Sequence, residues 1–206
     1  EEKEPPPGER PAAEILEVSA RYEIDIDALN APLDEEERSR IEVEDTYTLI
    51  LVDIPIIEER NEKDWYGTIP MGIIMREDIM ITVCLMETPI LTAFMEGRVR
   101  NFNTYWKTRF ILQILYKNAS WYLHYLRIID KKSEEVETRL NKSSKNEELI
   151  EVLELEKSLV YFTTSLRSNE VVLEKLLRSE KIKKYPEDEE LFDLLGPEKL
   201  LQHHLV

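Results

Sequence analysis

Two stretches between residues 112 and 176 restrict this chain more than anything else in it. Leu112, Leu115, Ala119, Tyr122, Leu126, Ile129, Ser133, Val136 and Leu140 follow one another at alternating steps of three and four residues. Val152, Leu155, Leu159, Phe162, Leu166, Asn169, Leu173 and Leu176 repeat that rhythm. Such spacing keeps one apolar stripe turned toward a partner helix over many turns, so the two stretches predict a long antiparallel helical pair. Ser143 and Ser144 break the pattern, and Ser144 with Glu147 three residues on forms a capping box for the second helix. The helices are expected over residues 101–141 and from 146 to about 182. Asn169 is a polar member of the second seam, of the kind that sets register at some cost in stability.

A second apolar stripe runs along the first helix through Ile111, Ile114, Trp121, Tyr125 and Ile128. One partner helix cannot cover both stripes. A third element is therefore expected against it: the N-terminal part of the chain, another helix or another subunit.

Ahead of the helices the pattern changes to strands. Residues 46–54 are β-branched and apolar and stop at Pro55, which has no ladder N–H to give. Residues 69–75 and 79–85 form two further strands, and the short polar link Arg76-Glu77-Asp78 predicts a hairpin between them. Short helices are expected over 14–21 and 90–96 and a short helix or turn over 24–30, with the charged run 34–40 in solvent. Pro186 followed by Glu187, Asp188, Glu189 and Glu190 starts a third helix, since proline and carboxylates both suit a first turn. The chain thus divides into a disordered lead-in (1–13), a sheet unit flanked by helices (14–100), a helical hairpin (101–185) and the start of a third helix with its tail (186–206). The fold class is α+β, a mixed or antiparallel sheet followed by the long hairpin.

Composition narrows the chemistry. The 206 residues carry 27 Lys and Arg against 43 Asp and Glu, a formal net charge of −16, which repels a phosphate backbone and argues against nucleic acid. Lys181, Lys183 and Lys184 are the one dense basic cluster, and they read as complements to a helix C-terminus. Cys84 is the single cysteine, so no internal disulfide forms, and its apolar neighbours make it a core thiol. The stretch 65–75 is the longest without Asp, Glu, Lys or Arg, far short of the ~20 apolar residues of a membrane-spanning helix. No glycine-rich phosphate loop occurs, and no nucleophile lies with its base, so no enzyme is expected. His124 lies among Trp121, Tyr122 and Tyr125 and reads as a half-buried structural histidine, while His203 and His204 form only an adjacent pair. Asp25 and Asp27 alternate with Ile24 and Ile26, which can project two carboxylates to one side; a hard cation such as Mg2+ needs no more than one or two, with water filling its other positions.

The run Ala31-Pro32-Leu33-Asp34-Glu35-Glu36-Glu37-Arg38-Ser39-Arg40-Ile41-Glu42, followed by Glu44-Asp45 and the strand Leu49-Ile50-Leu51-Val52-Asp53-Ile54-Pro55, resembles the cytosolic domain of CorA-type magnesium transporters. The likeness spans about residues 14–195, and the order of parts agrees. It implies a cytosolic regulatory domain of a divalent-cation transporter, on the cytoplasmic side of the cell membrane, working as a homopentamer that binds regulatory Mg2+, with Co2+ also possible, between subunits. Ion-loaded sites would favour a closed pore. Asp27 matches the sensing aspartate on the short helix before the charged run, with Asp25 the alternative. Ile26 falls where some relatives carry a second acid, Tyr116 near another family carboxylate, and a further aspartate belongs just beyond Leu195. Neither two spanning segments nor the Gly-Met-Asn pore signature occurs, so the expectation is a soluble part of a transporter, attached to a membrane only through a region missing here, with residues 196–206 foreign or misplaced. The rival expectation is a soluble coiled-coil adaptor whose exposed stripe docks a partner.

Overall fold

The computed structural model describes residues 10–60, 63–141, 146–179 and 185–195. Four strands, β1 (Arg40–Val43), β2 (Thr48–Arg60), β3 (Lys63–Met75) and β4 (Met80–Cys84), form one antiparallel sheet in chain order. Helices α1 (Arg10–Tyr22) and α2 (Ile26–Asn30), with a 3-10 turn at Ala31–Leu33, cover one face. Helices α3 (Pro89–Met95), α4 (Lys107–Leu140), α5 (Asn146–Arg178) and α6 (Glu189–Leu195) gather on the other. The result is a three-layer α+β fold.

Strand alternation decides which residues go to which layer. Ile50, Val52 and Ile54 on β2 pair with Ile73, Met71 and Ile69 on β3 and join the core shared with α4 and α5. Leu49, Leu51 and Ile74 face the other way, against Ile24, Ala28 and Leu29. Burial on both faces explains the unbroken run Leu49-Ile50-Leu51-Val52. Each such side chain contributes about 2 kcal/mol through the area it removes from water. Gly72 lies on the α1–α2 face with Pro32 so near that a Cβ there would stand 2.3 Å from the Pro32 ring. Glycine lets the 3-10 turn sit down on the sheet.

Pro55 does not end β2, which runs on to Arg60. Asp53 directs its N–H and C=O away from β3, where both are bonded to α5, and Pro55 two residues later points the same way. Because β1 ends with Arg40 opposite Leu51, no neighbouring strand waits there for a donor. Pro70, opposite Asp53, is oriented toward the other side, past Cys84, the last residue of β4. Both prolines therefore sit where a ladder N–H has no partner to lose. The hairpin at Arg76-Glu77-Asp78 is as expected, with Arg76 N–H donating to Ile79 O at 2.9 Å. Strand β1, which begins at Arg40 where the charged run ends, is an addition.

The helices also shift at their ends. α1 begins at Arg10, so residues 10–13 belong to it instead of to a lead-in, with Pro11 in a first turn where no N–H is needed. α4 begins at Lys107 and not at 101, because Asn101 takes a positive φ of 54° and the Asn103 side chain accepts from Tyr105 N–H at 2.9 Å. Those local bonds compete with helix. Phe94, Phe102 and Phe110 then stack at centroid distances of 4.9–5.1 Å and tie α3 to α4. Ser144 of the capping box, Lys181, Lys183, Lys184, His203 and His204 lie outside the described residues.

On α4 both stripes are covered. Ile111 and Ile114 are buried against the sheet, which is the third element the sequence calls for, and Tyr122, Ile129 and Val136 meet α5. The α5 seam differs from the expected one: Phe162 is 1% exposed, but Leu159 is 39% exposed and Val152 also reaches solvent. Leu155, Phe162, Leu173 and Leu176 of the expected series are buried, and Ser158, Ser165 and Val172 join them, which turns the buried stripe away from Leu159 toward the sheet. Small serines permit that close approach. Ser165 Oγ bonds Thr68 Oγ1 at 3.0 Å, and Ser158 Oγ donates back to Glu154 O at 3.1 Å.

Candidate functional site

The sequence-expected acids stand at the turn from α1 into α2. Glu23 adopts a positive φ of 51° to make that turn, and Ser19 Oγ donates to Ile24 O at 2.7 Å to hold it. Ile24 plugs the core, which leaves Asp25 and Asp27 exposed on the same side. Asp25 occupies the N-cap position of α2 without capping it; its Oδ2 accepts from the Tyr47 hydroxyl at 2.9 Å instead. Asp27 lies in the first turn of α2 and is exposed.

Around them opens a groove of about 850 Å³ whose rim also includes Glu23, Glu42 and Glu44, with Arg40 the one cation among the described residues there. Arg40 is committed to Glu37 at 2.6 Å and Glu42 at 2.5 Å. Burial first, then the Asp25 bond and the negative charges of Asp25, Glu44 and Glu42, push the Tyr47 phenol up to about 12. The groove is thus a region of negative potential that holds a neutral tyrosine. Tyr47 and Glu42 arrive from β1 and its loop into β2, more than a dozen residues away in sequence, and nothing in local spacing marks them.

Among the described residues, no group of three or more His, Cys, Asp or Glu is gathered tightly enough to hold a metal ion. What the groove offers is two exposed oxygen donors on one short helix. Exposed carboxylate oxygens are the donor type that a hard, water-rich cation such as Mg2+ takes. Ile26 is exposed beside them and Tyr116 lies on the open surface of α4, neither of them a ligand for such an ion. His124 is exposed, not half-buried, packing edge-on against Trp121 at 5.0 Å. Cys84 is half-buried on the edge strand β4, where burial raises its thiol.

A second polar cluster lies between sheet and helices, around the Asp53 peptide. Asn169 Oδ1 accepts from Asp53 N–H at 2.8 Å, and Asn169 Nδ2 donates to Asp53 O at 2.7 Å. Asn118 Nδ2 at 2.9 Å and the Tyr122 hydroxyl at 3.1 Å, both from α4, donate to the same carbonyl. Ser39 Oγ donates to Asn169 Oδ1 at 3.1 Å. Burial raises the Asp53 carboxyl above the ordinary carboxylate range, while the Ser165 and Ser39 hydroxyls draw it back. Asp188 was expected only as a helix-start acid; it is 3% exposed and bonded to Arg109 at 2.8 Å, fastening the approach to α6 onto α4.

The chain belongs to the family described as CorA-like Mg2+ transporter protein, whose model matches residues 9–195. It is 26% identical over 174 residues to the cobalt/magnesium transport protein CorA of Methanocaldococcus jannaschii, covering 80% of this chain and 52% of that protein. The chain therefore spans about half the length of that relative. The soluble domain of CorA from the same organism superposes with a TM-score of 0.80 at 26% identity, covering 93% of this chain and 76% of that one. The complete M. jannaschii CorA magnesium transporter gives 0.77 at 25% identity, covering 92% and 59%. The ZntB cytoplasmic domain from Vibrio parahaemolyticus shares the fold, with a TM-score of 0.68 at 10% identity over 92% and 74%. Among the described residues no helix is long and apolar enough to cross a membrane.

Proposed function

We propose that this chain is the cytosolic regulatory portion of a CorA-type transporter for Mg2+ or Co2+, on the cytoplasmic side of the cell membrane. In this reading Mg2+ held between copies in a homopentamer favours closure of a pore that other sequence builds. The observation that carries it is the acidic groove, where Asp25 and Asp27 stand exposed on the rim in a chain of the magnesium-transporter family. A bound cation supplies the charge that lets two acidic faces approach. Asp27 binds it, Asp25 shares it while Tyr47 keeps that carboxylate oriented, and Arg40 stays occupied by Glu37 and Glu42.

Magnitudes favour a local effect over a global one. Charges farther apart than ~8 Å are screened at physiological salt, so the formal −16 matters only where carboxylates come close. A ligand that binds one assembly state better shifts the population toward it, and by no more than its differential affinity. Sedimentation and thermal unfolding with and without Mg2+ test this. Mg2+ is expected to raise the assembled fraction and Tm of the native chain, and Asp27→Ala is expected to remove that response. An equal Mg2+ response in Asp27→Ala and Asp25→Ala would retire both ligands.

One observation favours an adaptor instead. Leu149, Leu153, Val160 and Val171 are exposed at helical spacing on the side of α5 opposite its buried stripe. If the reading frame continues into two spanning helices beyond residue 195, the adaptor fails.

A further inference from the structure

We propose that Asn169 is a latch: its side-chain amide takes the place of a missing edge-strand residue at Asp53 and so locks α5 to the sheet in a single register. The geometry begins with the ladder. Arg40 pairs with Leu51, and a β1 one bond pair longer would place its next hydrogen-bonded residue opposite Asp53. β1 stops, and the primary amide of Asn169 presents one acceptor and one donor to Asp53 N–H and C=O at 2.8 and 2.7 Å, as a strand peptide would. Ser39, just outside β1, donates to that same amide oxygen at 3.1 Å, so the chain that leaves the ladder also fixes its replacement.

Hydrogen bonds weaken steeply with small displacement, and moving α5 by one residue is a ~1.5 Å translation. Such a slip breaks both Asp53 bonds at once, which makes the attachment all-or-none. Release is feasible because Asp53 is only half-buried and its freed peptide groups can meet water. Competition is built in as well. A carbonyl has two lone pairs, yet Asp53 O receives Asn169 from α5 together with Asn118 and Tyr122 from α4. When Asn169 leaves, the α4 donors keep the carbonyl, so the polar attachment of α5 is lost while that of α4 remains. None of this depends on which ion the groove binds.

Amide hydrogen exchange on the whole chain, read by NMR, tests it. Asn169→Ala is expected to speed exchange at Asp53 by at least about tenfold relative to Ile73, which faces the β2–β3 ladder, with α5 amides near residues 165–176 opening alongside. Asn169→Asp keeps the acceptor, so the Asp53 amide is expected to remain protected while those α5 amides still loosen. Should Asn169→Ala fail to fold, Ser39→Ala removes one bond to the latch and is expected to speed Asp53 alone by a smaller factor. Unchanged Asp53 exchange in the variant measured, or an equal rise at Ile73, overturns the proposal.

Discussion

The two ends of the helical pair are held by different physics. Near the sheet, α4 and α5 share a core with Ile50, Val52, Met71 and Ile73, and both bond the Asp53 peptide. Farther along, Ile129, Val136 and Leu155 form a narrower seam that β3 joins through the buried Tyr66, and the tip of the β2–β3 ribbon adds more exposed contacts: Asp64 to Lys132 at 2.7 Å and Trp65 edge-on to Tyr161 at 5.8 Å. Buried amides and apolar layers resist displacement, whereas exposed ion pairs re-form easily after it. The polar attachments of the pair therefore differ in strength: those at the Asp53 peptide are the harder to shift, and those at the ribbon tip the easier.

The largest expected effect tests where the seam lies. Phe162→Ala should cost about 4 kcal/mol in urea unfolding, while Leu159→Ala should stay under about 1; equal losses would restore the leucine seam. Next, Asp188→Ala leaves the largely buried Arg109 without its partner and should cost about 3 kcal/mol, with α6 amides exchanging first. At the ribbon tip, Lys132→Ala should cost no more than about 0.5 kcal/mol and vanish in high salt. A large, salt-independent loss there would erase the contrast. The smallest effect concerns charge at Asp53. Burial raises the folded Asp53 carboxyl, so the native chain gains stability from this group at low pH and loses it as pH rises from the ordinary aspartate range through the folded value. Asp53→Asn should accordingly raise Tm at neutral pH, and the gain should fade on acidification. A gain independent of pH would mean that Asp53 charge plays no part.

Much of the fold is legible in the sequence because periodicity reports burial. The hairpin of β3 and β4 and the existence of both long helices follow from it, as does the need for a third element against Ile111 and Ile114. The α5 stripe is legible only in part: Leu155, Phe162, Leu173 and Leu176 are buried as the leucine series requires, but the series through Ser158 and Ser165 has the same spacing and takes the place of Leu159. Which one is buried depends on how near the sheet lies, and leucines outrank serines on hydrophobicity alone. Pro55 misleads for a related reason: proline ends a strand only where a neighbour needs its N–H, and β1 is too short to be that neighbour. At the groove, the alternation of Asp25 and Asp27 with isoleucines places Ile24 in the core but not Ile26, which is exposed with them. Tyr47 and Glu42 cannot be read from it, because only the fold carries them to the same place.

The uncovered side of β2 past Leu51 has one more consequence. An open strand edge is a template on which another chain can stack and begin to aggregate. Here Asp53 is already occupied by Asn169, Pro55 offers no donor, and Glu59 places a charge farther out. The same short β1 that leaves room for the helix thus also keeps this ribbon from growing sideways into a larger, intermolecular sheet.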